Sequence, residues 1–230
     1  ESELVANWGS IVNLSDQQQK FTVLFYDMLG QLKTQQELVV LPSQQVDFDA
    51  GHLRFGPSQV GLVQVKPVNL HTNYLARLTR YGLNYSTLEK KFEPSFAFPL
   101  TALAGTKQAI ISSIAGQANV WLELANTSQH AGMVKVEVYN SLGEMLSNRS
   151  VKLAGYAQQH LFVAEGLEKN QSGYAIVQGN QIPIIAQTMH YQQDLSGKLL
   201  TMYGVQAYQA SSGKFRGSYN FFLEMTNPLE

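Results

Sequence analysis

Tyr26-Asp27-Met28-Leu29-Gly30-Gln31-Leu32 returns 113 positions later as Tyr139-Asn140-Ser141-Leu142-Gly143-Glu144-Met145. Each copy reads as a tight turn between two antiparallel strands. Asp27 and Asn140 suit the first position of a type I turn, where a short polar side chain bonds its own backbone. Gly30 and Gly143 suit the left-handed position that follows, where a Cβ is penalised.

Outward from this turn, the strand before it alternates. Phe21, Val23 and Phe25 interleave with Thr22, Leu24 and Tyr26, and in the second copy Val134, Val136 and Val138 hold the same places. That is the period of a half-buried strand. At the same 113-residue offset Trp8 matches Trp121, Ile11 matches Leu124, Asn13 matches Asn126, and Leu38 and Val40 match Val151 and Leu153. The offset falls to 112 for Gly61 and Gly173. It is 110 for Leu75 to Tyr81 against Ile185 to Tyr191. The chain is therefore an internal duplication. Its halves are expected to superpose with Trp8 on Trp121 and Phe25 on Val138, all pointing inward. A third fragment, Phe221 to Asn227, resembles Val120 to Asn126. It reads as a final strand over 218–227 that either completes the second sheet or begins a third repeat.

About seven short strands per hundred residues, separated by turn residues, predict an all-β chain. The architecture expected is two tandem immunoglobulin-like antiparallel β-sandwich modules, residues 1–104 and 105–230. Ala102 to Ala115, with Gly105 and β-branched isoleucines, reads as a linker followed by a short strand rather than a helix.

Composition narrows the function classes. Of 230 residues, 44% are hydrophobic and only 14% charged, against about a quarter charged in ordinary globular chains. Glutamine alone makes up about a tenth of the chain. A surface of amides and hydroxyls is typical of exported β-rich modules. The net charge of −1, without a basic run, argues against nucleic acid as a partner. No apolar run approaches the roughly 20 residues of a membrane-spanning helix. The absence of cysteine removes disulfides, thiolate metal sites and a cysteine nucleophile.

The motifs now assembled resemble the tandem immunoglobulin-like or fibronectin-like modules of exported and cell-surface bacterial proteins. The resemblance rests on Phe96-Ala97-Phe98-Pro99, Trp121 to Asn126, Val134 to Gly143, Leu41-Pro42 and Arg80-Tyr81. The second copy departs from it at Leu153-Ala154 and His190-Tyr191. It implies a periplasmic, secreted or surface location, further domains in a longer chain, and a spacer, adhesive or ligand-binding role. Because its motifs are structural, it carries over no catalytic residues.

Residue by residue, the chemistry on offer is thin. Asp47 and Asp49 place two carboxylates on one strand face, about 7 Å apart by strand rise, a candidate Ca²⁺ site or glycosidase-like pair set against a solvated outer face. The second copy has His160-Leu161-Phe162 in that region. Tyr191, Tyr203 and Tyr208, with Tyr219, crowd the last stretch and are candidate sugar-stacking rings. The five histidines lack zinc spacing, and no Gly-x-Ser-x-Gly elbow is present. Asn13-Leu14-Ser15 and Asn126-Thr127-Ser128 are among five Asn-x-Ser acceptor patterns. The expectation is a non-catalytic structural or adhesive module with no cofactor and an unidentified protein or glycan partner. The alternative is a carbohydrate-binding module using the late tyrosines. A specific site is expected where the copies differ: in the loops His52–Ser58, Val68–Asn73 and Tyr203–Arg216, or in the groove between the modules.

Overall fold

The computed structural model describes residues 4–50, 60–84, 91–99, 105–112, 118–167, 171–194, 196–197 and 199–209. The expected strand over 218–227 lies outside them, as do Tyr219 and the 52–58 loop. The described residues form sixteen strands and no helix. In chain order they are β1 (Leu4–Asn13), β2 (Gln19–Asp27), β3 (Leu32–Val40), β4 (Gln45–Asp49), β5 (Gly61–Pro67), β6 (Tyr74–Asn84), β7 (Lys91–Pro99) and β8 (Lys107–Ser112). They continue with β9 (Ala118–Asn126), β10 (Gly132–Asn140), β11 (Met145–Leu153), β12 (Gln158–Phe162), β13 (Gly173–Gly179), β14 (Ile184–Gln193), β15 (Leu199–Gln206) and β16 (Tyr208–Gln209).

These strands make four antiparallel sheets, and the sheets repeat. The order β4-β1-β6-β7 in the N-terminal half is matched by β12-β9-β14-β15 in the C-terminal half. The order β3-β2-β5 is matched by β11-β10-β13, which β8 and β16 extend along the edge of β13. Even the irregularities recur. The β2–β3 ladder slips between Phe25 and Tyr26, and the β10–β11 ladder slips between Val138 and Tyr139. Positive φ falls at Gly30 and Gly143, both at 84°, and at Ser43 and Tyr156, both at 57°. Gly105 bridges Ile184, so the chain joins the C-terminal sheets before β8 begins.

Each half has one apolar cluster drawn from both of its sheets. Ile11, Phe48, Ala76 and Leu78 meet Phe21, Val23, Phe25, Leu38 and Val40 in the first. Leu122, Leu124, Ile184 and Ala186 meet Val134, Val136, Val138, Leu153 and Val177 in the second. Aromatic rings fill the first: Phe25 meets Phe48 edge-on at 6.2 Å and Phe21 meets Tyr74 at 5.1 Å. The second is aliphatic, so equivalent positions are filled by different volumes.

The hairpin turns form as the side chains dictate. Asp27 Oδ1 accepts from the N–H groups of Leu29 and Gln31, and the Gly30 N–H donates to the Asp27 carbonyl. Asn140 Oδ1 accepts in the same way from Leu142 and Glu144, and the Gly143 N–H donates to the Asn140 carbonyl. Phe25 and Val138 are both buried, as expected. The tryptophans are not. Trp8 is 40% exposed and Trp121 38%, so the expectation that they point inward is corrected. Ile11 and Leu124 commit the inner face, and a residue three positions away in a strand stands on the other face. The matched exposure preserves the equivalence of the two residues while reversing their orientation.

Candidate functional site

The expected site residues occupy separate places. Asp47 and Asp49 lie on the outer side of β4, flanking inward Phe48. Asp47 accepts a hydrogen bond from the Gln45 side-chain amide at 2.8 Å. Among the described residues no three histidine or carboxylate side chains stand together as metal ligands would. The late tyrosines do not converge either. Tyr203 pairs with His190, and its ring stacks on that imidazole at 4.4 Å. Tyr191 pairs with Met202 one position away, and so lies on the opposite face of the same sheet. Tyr208, 71% exposed, belongs to β16 in a different sheet.

Two of the Asn-x-Ser motifs prove to be internal staples. Asn13 and Asn126 are both fully buried. Asn13 Nδ2 donates to the carbonyls of Gln17 and Val40, while its Oδ1 accepts from the N–H and hydroxyl of Ser15. Asn126 Nδ2 donates to the carbonyls of His130 and Ala154, and its Oδ1 accepts from the same two groups of Ser128. Each amide thus satisfies loop carbonyls and ties the end of one sheet to the loop crossing to the other.

Among the described residues a polar cluster lies between the two halves. Glu123, in the middle of β9, faces away from the C-terminal core yet is only 6% exposed. Its neighbours on that face, Met189 on β14 and Met202 on β15, are also buried, although neither belongs to the apolar cluster. β7 lies alongside β15, and Arg80 extends from β6 to place Nη1 3.5 Å from Glu123 Oε1 and 3.5 Å from the Tyr191 hydroxyl. Asn7 Oδ1 orients the guanidinium by accepting from Nε at 2.9 Å. The other oxygen of Glu123 accepts from the Gln187 side-chain amide. The carboxylate is therefore paired and hydrogen-bonded, as a buried charge must be.

His160, on β12, closes the cluster. Burial lowers its pKa, Glu123 opposes that shift, and Arg80 adds to it. Its Nε2 lies 3.6 Å from Glu123 and 2.6 Å from the side-chain amide nitrogen of Gln158. Proximity to the carboxylate argues for an imidazolium and burial argues against one. Burial is the larger influence and favours the neutral ring. Tyr191 is pushed up by burial, with Arg80 pulling the other way. The geometry of the cluster is that of a clamp, with Glu123 held between Arg80 and Gln187.

Beside the clamp, the first hairpin sits on the second half. Tyr26 stacks on Tyr156 at 4.5 Å, and the Gln158 N–H donates to the Met28 carbonyl at 3.1 Å. A Cβ on Gly30 would stand 2.8 Å from the Ala157 nitrogen and closer still to the Gly155 carbonyl oxygen. The expectations named a groove between the modules but neither Arg80 nor Glu123. A signal was there: Glu123 matches Ser10 in the other copy and Arg80 matches His190, so the two charged partners occur where the copies differ. Comparison with protein-family models, curated proteins and solved structures yielded no significant match. Among the described residues no helix is long and apolar enough to cross a membrane.

Proposed function

We propose that the chain is two tandem immunoglobulin-like antiparallel β-sandwich modules, residues 1–104 and 105–230, acting as a non-catalytic structural or adhesive segment of an exported bacterial protein. The observation that carries this reading is how the buried polar side chains are used. Glu123, Arg80, Asn13 and Asn126 are engaged in holding halves and loops together. The scaffold is duplicated down to its turn dihedrals, as befits a unit whose job is to repeat and to space. The scattering of Tyr191, Tyr203 and Tyr208 over separate faces favours this reading over a carbohydrate-binding groove.

The test is a broad panel of glycoside, ester and peptide substrates offered to the purified chain, alongside a glycan array. No turnover is expected. Hydrolysis abolished by Asp47→Ala or Glu123→Gln would overturn the reading. Glycan binding lost in Tyr203→Ala or Tyr208→Ala would replace it with the sugar-binding alternative.

A further inference from the structure

The internal contact joins two ends that the duplication supplies twice. One is the hairpin end of the N-terminal half, with Tyr26, Met28 and Gly30. The other is the end of the C-terminal half at the β11–β12 turn, with Gly155, Tyr156 and Gln158. The second hairpin, at Tyr139 to Met145, has the same fold and the same φ at Gly143, but a Cβ on Gly143 would meet nothing within 4 Å. The first β3–β4 turn, at Leu41 to Gln45, has the same positive φ at Ser43 as Tyr156 has. At that end of the N-terminal half Leu14, Leu41, Val68 and Leu70 are all exposed. Backbone bonds gather these segments: Leu14 N–H to Asn73, Ser43 N–H to Asn13 and Val68 N–H to Lys20. Four large apolar side chains at one end form a patch that a solitary chain would leave in water.

The geometry points to end-to-end association of copies of this chain, with the Tyr139–Met145 hairpin of one seated on the Leu41–Gln45 turn of the next. The inference rests on the tandem-module reading above and extends it to a mode of assembly. Continuity with the internal contact is the first argument. Gln45 stands where Gln158 stands and Ser141 where Met28 stands, so the same backbone bond can form. Charge is the second. The internal contact buries Arg80 against Glu123; the equivalent positions of the other copies are His190 and Ser10, both already buried within their own halves. Both partners of the pair are gone together, so neither is stranded without the other, while Asp47 and Arg77 take the places of His160 and Gln187 on either side of Ser10. One feature is missing: Ser43 takes the place of Tyr156, so the ring that stacks on Tyr26 has no counterpart for Tyr139. The contact between copies is accordingly weaker than the internal one. Because the two ends differ, the contact is heterologous and leads to open chains rather than closed pairs.

Sedimentation velocity of the whole chain over a rising concentration series tests this. The expected result is growth from monomer through dimer to longer species. Gly143→Asn should abolish it, since asparagine tolerates positive φ while adding bulk at the contact, and Leu41→Glu should abolish it from the other end. An equimolar mixture of those two variants should form a pair and stop there. Ser43→Tyr should shift association to lower concentration, by about two- to tenfold if the lost stack is restored. A chain that stays monomeric throughout, oligomers that stop at dimer in the unmodified protein, or growth indifferent to both blocking variants would each overturn the inference. Monomeric behaviour would leave the non-catalytic reading intact, because that reading is judged on turnover and glycan binding.

Discussion

Replacing Gly30 and Gly143 separately with alanine compares two turns that are identical inside and different outside. Both glycines have φ of 84°, so both substitutions place an L-residue in the left-handed region at about 1–2 kcal/mol. The stiffer unfolded chain returns roughly 0.4–1 kcal/mol of that. At Gly143 nothing else changes, because the space beside it is open, and the expected net cost is about 1 kcal/mol. At Gly30 the new methyl group meets backbone atoms of Gly155 and Ala157, which have no side-chain freedom with which to yield. The hairpin must lift, giving up the Gln158-to-Met28 hydrogen bond at about 0.5–1.5 kcal/mol and the Tyr26–Tyr156 stack at a similar value. Gly30→Ala is therefore expected to cost about 3 kcal/mol. Urea unfolding followed by fluorescence provides the assay, with Trp8 reporting one half and Trp121 the other. In the Gly30 variant the two signals should also separate, since the coupling between halves weakens. Equal costs for the two substitutions, with coincident transitions, would show that the first hairpin is not seated on the second half.

Asn126→Ala removes the donor to two loop carbonyls and the acceptor for Ser128; a loss of about 2–4 kcal/mol is expected in urea unfolding, and a loss below 1 kcal/mol would refute the staple. Glu123→Ala strands Arg80 and should destabilise more than Arg80→Leu combined with Glu123→Leu, a double-mutant cycle measured by the same method; additive costs would remove the clamp. His190 is buried and stacked on Tyr203, and burial holds its pKa below the ordinary 6.5. Its stabilising neutral form is fully present above that ordinary value and is lost as pH falls through the lowered folded pKa. The melting temperature should therefore decline on acidification below about pH 6.5, and His190→Gln should flatten that decline; an unchanged slope in the variant would assign it elsewhere.

Much of the fold was legible in the chain because it rests on local rules. Asp27 and Asn140 bond the next N–H groups whatever surrounds them, and Gly30 and Gly143 supply a dihedral that few other residues tolerate. Alternation over Phe21 to Phe25 and Val134 to Val138 marks strands, although Leu24 and Tyr26 on the other face of β2 are buried as well, and duplication checks each half against the other. The site was much less legible. Asn13 and Asn126 fit the Asn-x-Ser acceptor pattern yet act as buried staples, because part of their bonding reaches Val40 and Ala154, 27 or 28 residues away.

By itself, then, the sequence determined the turns, the strands, the register of the repeat and which face of each inner strand is apolar. These are set by neighbours within a few residues and by a side-chain period of two. Only the tertiary structure decided what covers the other face. Trp8 and Trp121 share the outward side of equivalent strands and stay exposed, whereas Glu123, two residues beyond Trp121, is buried because Arg80 reaches it from the other half. Alternation assigns a residue to one of two faces. Whether that face meets water or protein depends on contacts between segments far apart in the chain, such as Arg80 with Glu123 and Tyr26 with Tyr156.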